Sequence, residues 1–308
     1  VENLIRQNWE GGLVEVDDRL INVWVGALQN QKDWSGILNL YQELKRKESN
    51  KFESISDLIW QAEANESLNR PKEAITFYER AVKKMSVGDE RFAAISNRLA
   101  VLYENGNDYQ KQMKIYEDLY AQEQSPKFRQ QYALKAGLIG LDKLQNEKLA
   151  SEWLQRADSG GVDDNDLRAS MLLIDIDRKN KDLDSALNRL KDLEKRSVPS
   201  NSNYFWQVPF QLGVLHQNRK EWGASRPYLE RVANQQQDTE LAKDAQQMLR
   251  SVDSVIAKQE LQNLLNNENW KQVSKFVSEQ ERLGNLPFNN EIFGIWVKAE
   301  TKQQNWSR

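Results

Sequence analysis

Apolar and small side chains recur along this chain three and four residues apart, and RPKEAITFYERAV, residues 70–82, shows the pattern well. Ala74, Tyr78 and Ala81 fall there at i, i+4 and i+7, one face of a helix, with small residues where a neighbour comes close. Pro71 sits just inside the start, where its missing N–H costs no helical bond. The same face returns six more times: Ile37, Tyr41 and Leu44; Gln112, Tyr116 and Leu119; Ala150, Leu154 and Ala157; Ala186, Leu190 and Leu193; Ser225, Leu229 and Val232; Val273, Val277 and Gln280. The first members, residues 37, 74, 112, 150, 186, 225 and 273, are spaced 37, 38, 38, 36, 39 and 48 apart. A period near 37 with one long excursion signals an internal repeat.

A second amphipathic segment lies upstream of most of these faces, at residues 20–30, 57–68, 95–106, 132–144, 169–180 and 209–220. Each unit therefore reads as helix, short polar turn, helix. Turns such as NQKD, NGND and RKNKD suit a C-cap followed at once by an N-cap. An aromatic opens several of the second helices: Trp34, Tyr109, Trp222 and Trp270, with Trp306 expected at the same place. Trp9 carries the same signal but stands only 25 residues before Trp34, so the N-terminal turn is irregular or Trp9 belongs elsewhere. Residues 239–265 hold no Pro or Gly and read as one long helix, while residues 195–209 are the most turn-rich stretch and read as a longer loop and joint. The units are placed at about 18–54, 55–92, 93–130, 131–166, 167–205, 206–253 and 254–287, with partial units at 1–17 and 288–308.

These helix pairs resemble the tetratricopeptide repeat, whose first helix runs Trp-x-x-Leu-Gly-x-x-Tyr and whose second runs Ala-x-x-x-Phe-x-x-Ala. Leu99, Ala100, Tyr103 and Tyr109 match it in one unit, Leu212, Gly213, His216 and Trp222 in another, and Ala74, Tyr78 and Ala81 in a third. The resemblance covers almost the whole chain with about seven degenerate repeats. It implies an all-α fold: a right-handed superhelical solenoid of stacked antiparallel helix pairs, expected here as a single domain truncated at both ends.

Composition fits this reading and narrows the function. Gly and Pro number only 14 and 6, and hydrophobic residues make up 39 %, as expected where each helix covers only its neighbours. Net charge is −3, without the basic excess that nucleic-acid binding needs. No run of 18 apolar residues is present, so no membrane-spanning segment is expected. The chain has no cysteine, which removes thiolate metal sites and Cys nucleophiles and agrees with an exported, periplasmic setting.

Candidate chemistry is sparse. The one histidine, His216, falls at a packing position facing its own hairpin, with no second His or Cys to share a metal. DSGGVDDNDL, residues 158–167, lacks the acidic spacing and closing Glu of a calcium loop and reads as a helix connection with an Asp N-cap. No phosphate-binding loop occurs, and paired carboxylates belong to solvated helix faces. The chain is read as non-enzymatic and without a cofactor.

The resemblance places the first helix of each pair on a concave surface. Tyr132, Lys135, Lys143, Arg168, Met171, Arg178, Lys179 and Phe210 are then the candidate partner-binding residues, with Ile139, Asp142, Asp175, Val214 and Gln217 among them. The basic members suit an acidic segment of a partner protein, and the apolar ones offer contacts. The expected function is a protein–protein interaction scaffold. The alternative is a periplasmic segment of a bacterial exopolysaccharide export system, where the surface guides an anionic or other polysaccharide or docks a polysaccharide-modifying enzyme.

Overall fold

The computed structural model describes residues 2–47, 52–235, 239–287 and 289–303. Among these residues every regular element is helical. The chain divides into two compact units, Val1–Ala157 and Asp158–Arg308.

The first unit opens with α1 (Glu2–Glu10) and continues as four hairpins. These are α2 (Asp18–Asn30) with α3 (Trp34–Lys47), α4 (Ile55–Ser67) with α5 (Pro71–Lys84), α6 (Phe92–Asn105) with α7 (Tyr109–Gln122), and α8 (Pro126–Leu138) with α9 (Glu147–Ala157). The second unit holds α10 (Asp164–Lys179) with α11 (Leu183–Lys195), α12 (Tyr204–Asn218) with α13 (Trp222–Ala233), the long α14 (Glu240–Asn266) with α15 (Trp270–Arg282), and α16 (Asn290–Lys302). Within each unit the second helix of one hairpin packs on the first helix of the next.

Burial follows the periodic faces. All the residues of the seven triplets are buried except Gln280, which is half-buried. In the first unit Ile21, Trp24 and Leu28 meet Ile37, Leu40 and Leu44; in the second, Leu167 and Ile174 meet Ala186, Leu190 and Leu212. The N-terminal half of α14 packs Ala245 on Val232 and Ala233 of α13, while its C-terminal half sets Ala257 and Leu261 against Val273 and Val277 of α15. One uninterrupted helix thus serves two hairpins, which accounts for the 48-residue spacing there.

Each hairpin turns through one left-handed residue: Lys32, Asn69, Asn107, Gln145, Lys181, Lys220 and Glu268, with φ between 51° and 61°. Each stands five residues before the first member of its triplet, so the turns carry the same repeat spacing as the core. The turns close by the 6→1 bond of a Schellman motif, in which the residue after the left-handed one donates to a carbonyl five residues back: Asp108 N–H to Tyr103 at 2.9 Å, Glu221 N–H to His216 at 2.9 Å. That same residue then caps the next helix in several turns: Asp33 accepts from Gly36 N–H at 2.8 Å and Asp182 from Ser185 N–H at 3.0 Å.

The fourth hairpin departs from this rule. Past Leu138 the helix widens into a π-turn, Ile139–Lys143, with Leu144 N–H donating to Ile139 at 3.0 Å. Asn146 N–H then reaches back six residues, to Gly140 at 2.8 Å. One extra residue is therefore accommodated before the turn. The sequence shows it too: Ala62, Ala100 and Gly213 stand seven residues before their left-handed residue, Gly137 eight.

Two sequence readings change, and the alternatives left open for Trp9 are decided. Residues 204–209, expected in the loop, begin α12, with Pro209 inside it, because Val208 and Leu212 need a buried helical face. The fourth hairpin starts at Pro126 and the fifth at Asp164, ahead of the boundaries placed at 131 and 167. Trp9 lies near the end of α1, where its ring meets Trp24 edge-on at 5.6 Å and carries the Lys47 ammonium at 3.7 Å. Trp34, Tyr109, Trp222 and Trp270 each open a second helix as expected, whereas Trp306 lies outside the described residues.

Candidate functional site: a groove over the fourth hairpin

In the first unit α6, α7 and α8 with its π-turn border an open groove of about 250 Å³. Lys135, Leu138, Ile139, Asp142 and Lys143 line it from the α8 side, Gln112 and Tyr116 from α7, and Glu104 from the end of α6. The π-turn decides which side chains share this face. In an unbroken α-helix Lys143 would stand about 80° around from Lys135; one extra residue in the turn takes about 100° out of that rotation, leaving the two about 20° apart.

The two lysines then lie against two rings of α7. The Lys135 ammonium is 4.9 Å from the Tyr116 ring centroid, and that of Lys143 is 5.3 Å from Tyr109. Tyr109 and Tyr116 are seven residues apart and share a helix face, so the pairs form two rungs between antiparallel helices. Burial raises the Tyr116 hydroxyl above its ordinary pKa, with Glu104 and Tyr132 adding to the shift, so it remains a neutral phenol.

The preceding groove shows what is unusual here. There Arg98 of α6 takes the place of Lys135 and Tyr78 that of Tyr116, with the Arg98 guanidinium 5.8 Å from the Tyr78 ring. Arg98 is bound to Glu63 and lies 3.5 Å from Glu66, so its charge is matched within the unit. Lys135 and Lys143, both exposed, form no ion pair among the described residues. Glu104, the counterpart of Glu66, instead accepts from the Gln112 amide at 3.2 Å. The lining carries two cations and two carboxylates, and the cations are the pair held over the rings.

The other sequence-derived site residues have different surroundings. Tyr132, expected as a surface contact, is buried and stacks on Tyr116 at 6.3 Å, because α8 packs that face onto α7. In the second unit Met171 is half-buried against the α10–α11–α12 core, and Phe210 against Val232, Ala233 and Ala245, so both mainly fill core. Arg178 donates to the Gln211 side chain at 2.8 Å and lies 3.7 Å from Asp175. Arg168 and Lys179 are exposed on α10. Glu104, Gln112, Tyr109 and Tyr116 were not among the sequence candidates; Gln112 and Tyr116 had been read as packing residues, and the cavity shows that one edge of each also faces the groove.

No metal-binding cluster of His, Cys, Asp or Glu occurs among the described residues. His216 is buried, stacks on Tyr228 at 5.7 Å and shares a 2.6 Å bond with Glu221, which is the packed histidine the sequence implied. Asp163 caps α10 by accepting from Asn165 and Asp166 N–H at 2.8 and 3.0 Å, as read for residues 158–167. No helix among the described residues is long and apolar enough to cross a membrane.

No family model matches the chain, and no curated protein matches it. Several solved structures are similar. YrrB, described as a TPR protein with an unusual peptide-binding site, is 20 % identical over 67 % of this chain and 97 % of its own, with a TM-score of 0.41. The C-terminal part of a TPR repeat-containing protein from Cytophaga hutchinsonii is 11 % identical over 88 % of this chain and 98 % of its own, at 0.43. A tetratricopeptide repeat protein from Parabacteroides merdae is 15 % identical over 91 % and 97 %, at 0.37. Seven hairpins among the described residues that each turn on one left-handed residue, in step with a buried helix face, give this chain an all-α helical-repeat fold.

Proposed function

We propose that the chain is a non-catalytic scaffold that recruits a partner protein by holding an acidic segment in the groove of Lys135 and Lys143. The observation that carries this reading is the pair of exposed ammonium groups ranged over Tyr116 and Tyr109 without carboxylate partners among the described residues. A carboxylate entering between them gains two charge-assisted contacts at a rim already partly desolvated by aromatic surface. Leu138 and Ile139 supply apolar floor for a neighbouring side chain. A sugar polymer would need broad exposed rings, and Tyr132 is buried while Phe210 is half-buried.

The test is fluorescence anisotropy with a fluorescein-labelled peptide of alternating Glu and Leu. Saturable binding is expected, weakened about tenfold, or about 1.4 kcal/mol, in the Lys135→Gln/Lys143→Gln variant. Lys83→Gln/Lys84→Gln, at the far end of α5, should bind as the parent does. Equal binding by the groove variant, or binding of a neutral polysaccharide in place of the peptide, would refute the acidic-segment reading.

A further inference from the structure

A second cavity, of about 420 Å³, lies in the Asp158–Arg308 unit between α12 and α14. Gln217 lines it from α12, and Asp244, Gln247, Met248 and Ser251 from α14. The four α14 residues fall at i, i+3, i+4 and i+7, the spacing at which Lys135, Leu138, Ile139 and Asp142 line the first groove. The opposing side also corresponds: Gln217 stands three residues before the left-handed Lys220, as Glu104 stands three before Asn107. The end of one hairpin's first helix therefore faces the next helix in the same way in both grooves.

The sign of the groove is reversed. Asp244 holds the place of Lys135, Gln217 that of Glu104 and Ser251 that of Asp142. The lining contains one charge, a carboxylate, and no cation. Asp244 makes no ion pair among the described residues; Arg226 of α13 is bound to Asp253 of α14 at 2.7 Å and to Glu230 at 3.0 Å. Two carboxamides and a hydroxyl, each able to accept as well as donate, line the groove with Asp244, together with the half-buried Met248 side chain.

We infer that this groove docks the guanidinium of an arginine on a partner peptide. A guanidinium carries several donors in one plane and a positive charge, which matches a site with a single carboxylate, no cation, and three neutral side chains able to turn an oxygen toward it. Its flat face and the apolar stem behind it suit the Met248 side chain. This surface is separate from the lysine groove and takes the opposite charge, so neither assignment depends on the other.

Methionine-methyl NMR reads the site directly, because the chain has 4 methionines and Met248 alone lines this cavity. The full chain, labelled at the methionine methyls, is titrated with acetyl-Gly-Arg-Gly-amide and separately with acetyl-Gly-Glu-Gly-amide, the Met248 signal being assigned by Met248→Leu. The expected result is a saturable shift of the Met248 signal with the arginine peptide only. Asp244→Asn should weaken that titration at least fivefold while leaving in place the signal of Met171, packed on the core of the same unit, which shows that this unit is still folded. A Met248 signal that stays still, moves equally with the glutamate peptide, or titrates unchanged in Asp244→Asn overturns the inference.

Discussion

The guanidinium of Arg196 holds both carboxylate oxygens of Asp158, at 2.7 and 3.2 Å, and ties the end of α11 to the loop that leads into α10. Asp192 takes a second edge of the same guanidinium at 2.6 Å, and Ser170 donates its hydroxyl to Asp158. Both side chains of the pair are largely enclosed, at 14 % and 12 % exposure, so loss of one partner leaves the other charge poorly hydrated. Arg196→Met is expected to cost about 2 kcal/mol in denaturant unfolding. Burial alone would raise the Asp158 pKa, but the bonds from Arg196 and Ser170 outweigh it and hold the carboxyl below its ordinary range. A depressed folded-state pKa stabilises fully above the unfolded value of about 3.9 and is lost as pH falls through the folded value. Unfolding followed from pH 6 downward should therefore show a steeper loss in the parent than in Asp158→Asn.

Left-handed backbone is strained for any residue with a Cβ, by about 1–2 kcal/mol, yet four of the seven hairpins turn on Lys or Glu. Lys181, Lys220 and Glu268 have φ of 61°, 60° and 51°. Replacing each by Gly removes that strain at some cost in unfolded-chain entropy, for a net gain of about 0.5–1 kcal/mol per site. Denaturant midpoints of Lys181→Gly, Lys220→Gly and the double variant should rise, and add, since the two turns lie in different hairpins. A lowered midpoint in the single variants would mean that these side chains stabilise the turns by contacts of their own.

Those turns also show what could be read in the sequence. The seven buried faces were legible because a period near 37 imposes the same small or apolar residue at each packing position, and α14 was legible because nothing in residues 239–265 breaks a helix. The groove was only half legible. Lys135 and Lys143 were found by their place in the repeat, but Tyr116 and Gln112 are both core and lining, and no periodicity separates the two edges of one side chain. Tyr132 was misplaced because the register that puts a residue on the surface assumes an ideal hairpin, and this helix contains a π-turn. The extra residue is visible beforehand only as a spacing of eight instead of seven between Gly137 and Gln145.

Glycines in the helices divide into those against which a neighbour packs and those in open space. A Cβ at Gly213 would lie 2.7 Å from Leu229 Cδ2 and 2.8 Å from its Cγ, and one at Gly140 would lie 3.1 Å from the Ala150 Cα and N. The second contact is with backbone, which cannot rotate away. Gly140→Ala and Gly213→Ala should each destabilise by about 1–3 kcal/mol through overpacking. Gly223, in the first turn of α13, would meet nothing within 4 Å, so Gly223→Ala should stabilise by up to about 1 kcal/mol on helix propensity alone. Thermal unfolding of the three variants side by side checks both signs.

A one-residue deletion within a helix normally turns everything beyond it by about 100° and pulls the buried face out of the core. The π-turn reverses that expectation at one place. Six hairpins close with a backbone bond reaching back five residues and the fourth with one reaching back six, so deleting Leu141 should let the fourth close like the rest. The upstream contacts of Gly137 with Leu154 and the downstream turn at Gln145 would both keep their places. The Leu141 deletion should retain the parent's helical circular dichroism and unfold at no lower a temperature. Deletion of Val101, an exposed residue of α6 at 52 % exposure, should instead cost about 3 kcal/mol or more by displacing Leu102 and Tyr103 from the core. Equal damage from the two deletions would show that the extra residue is integral to the fourth hairpin and not an insertion carried by it.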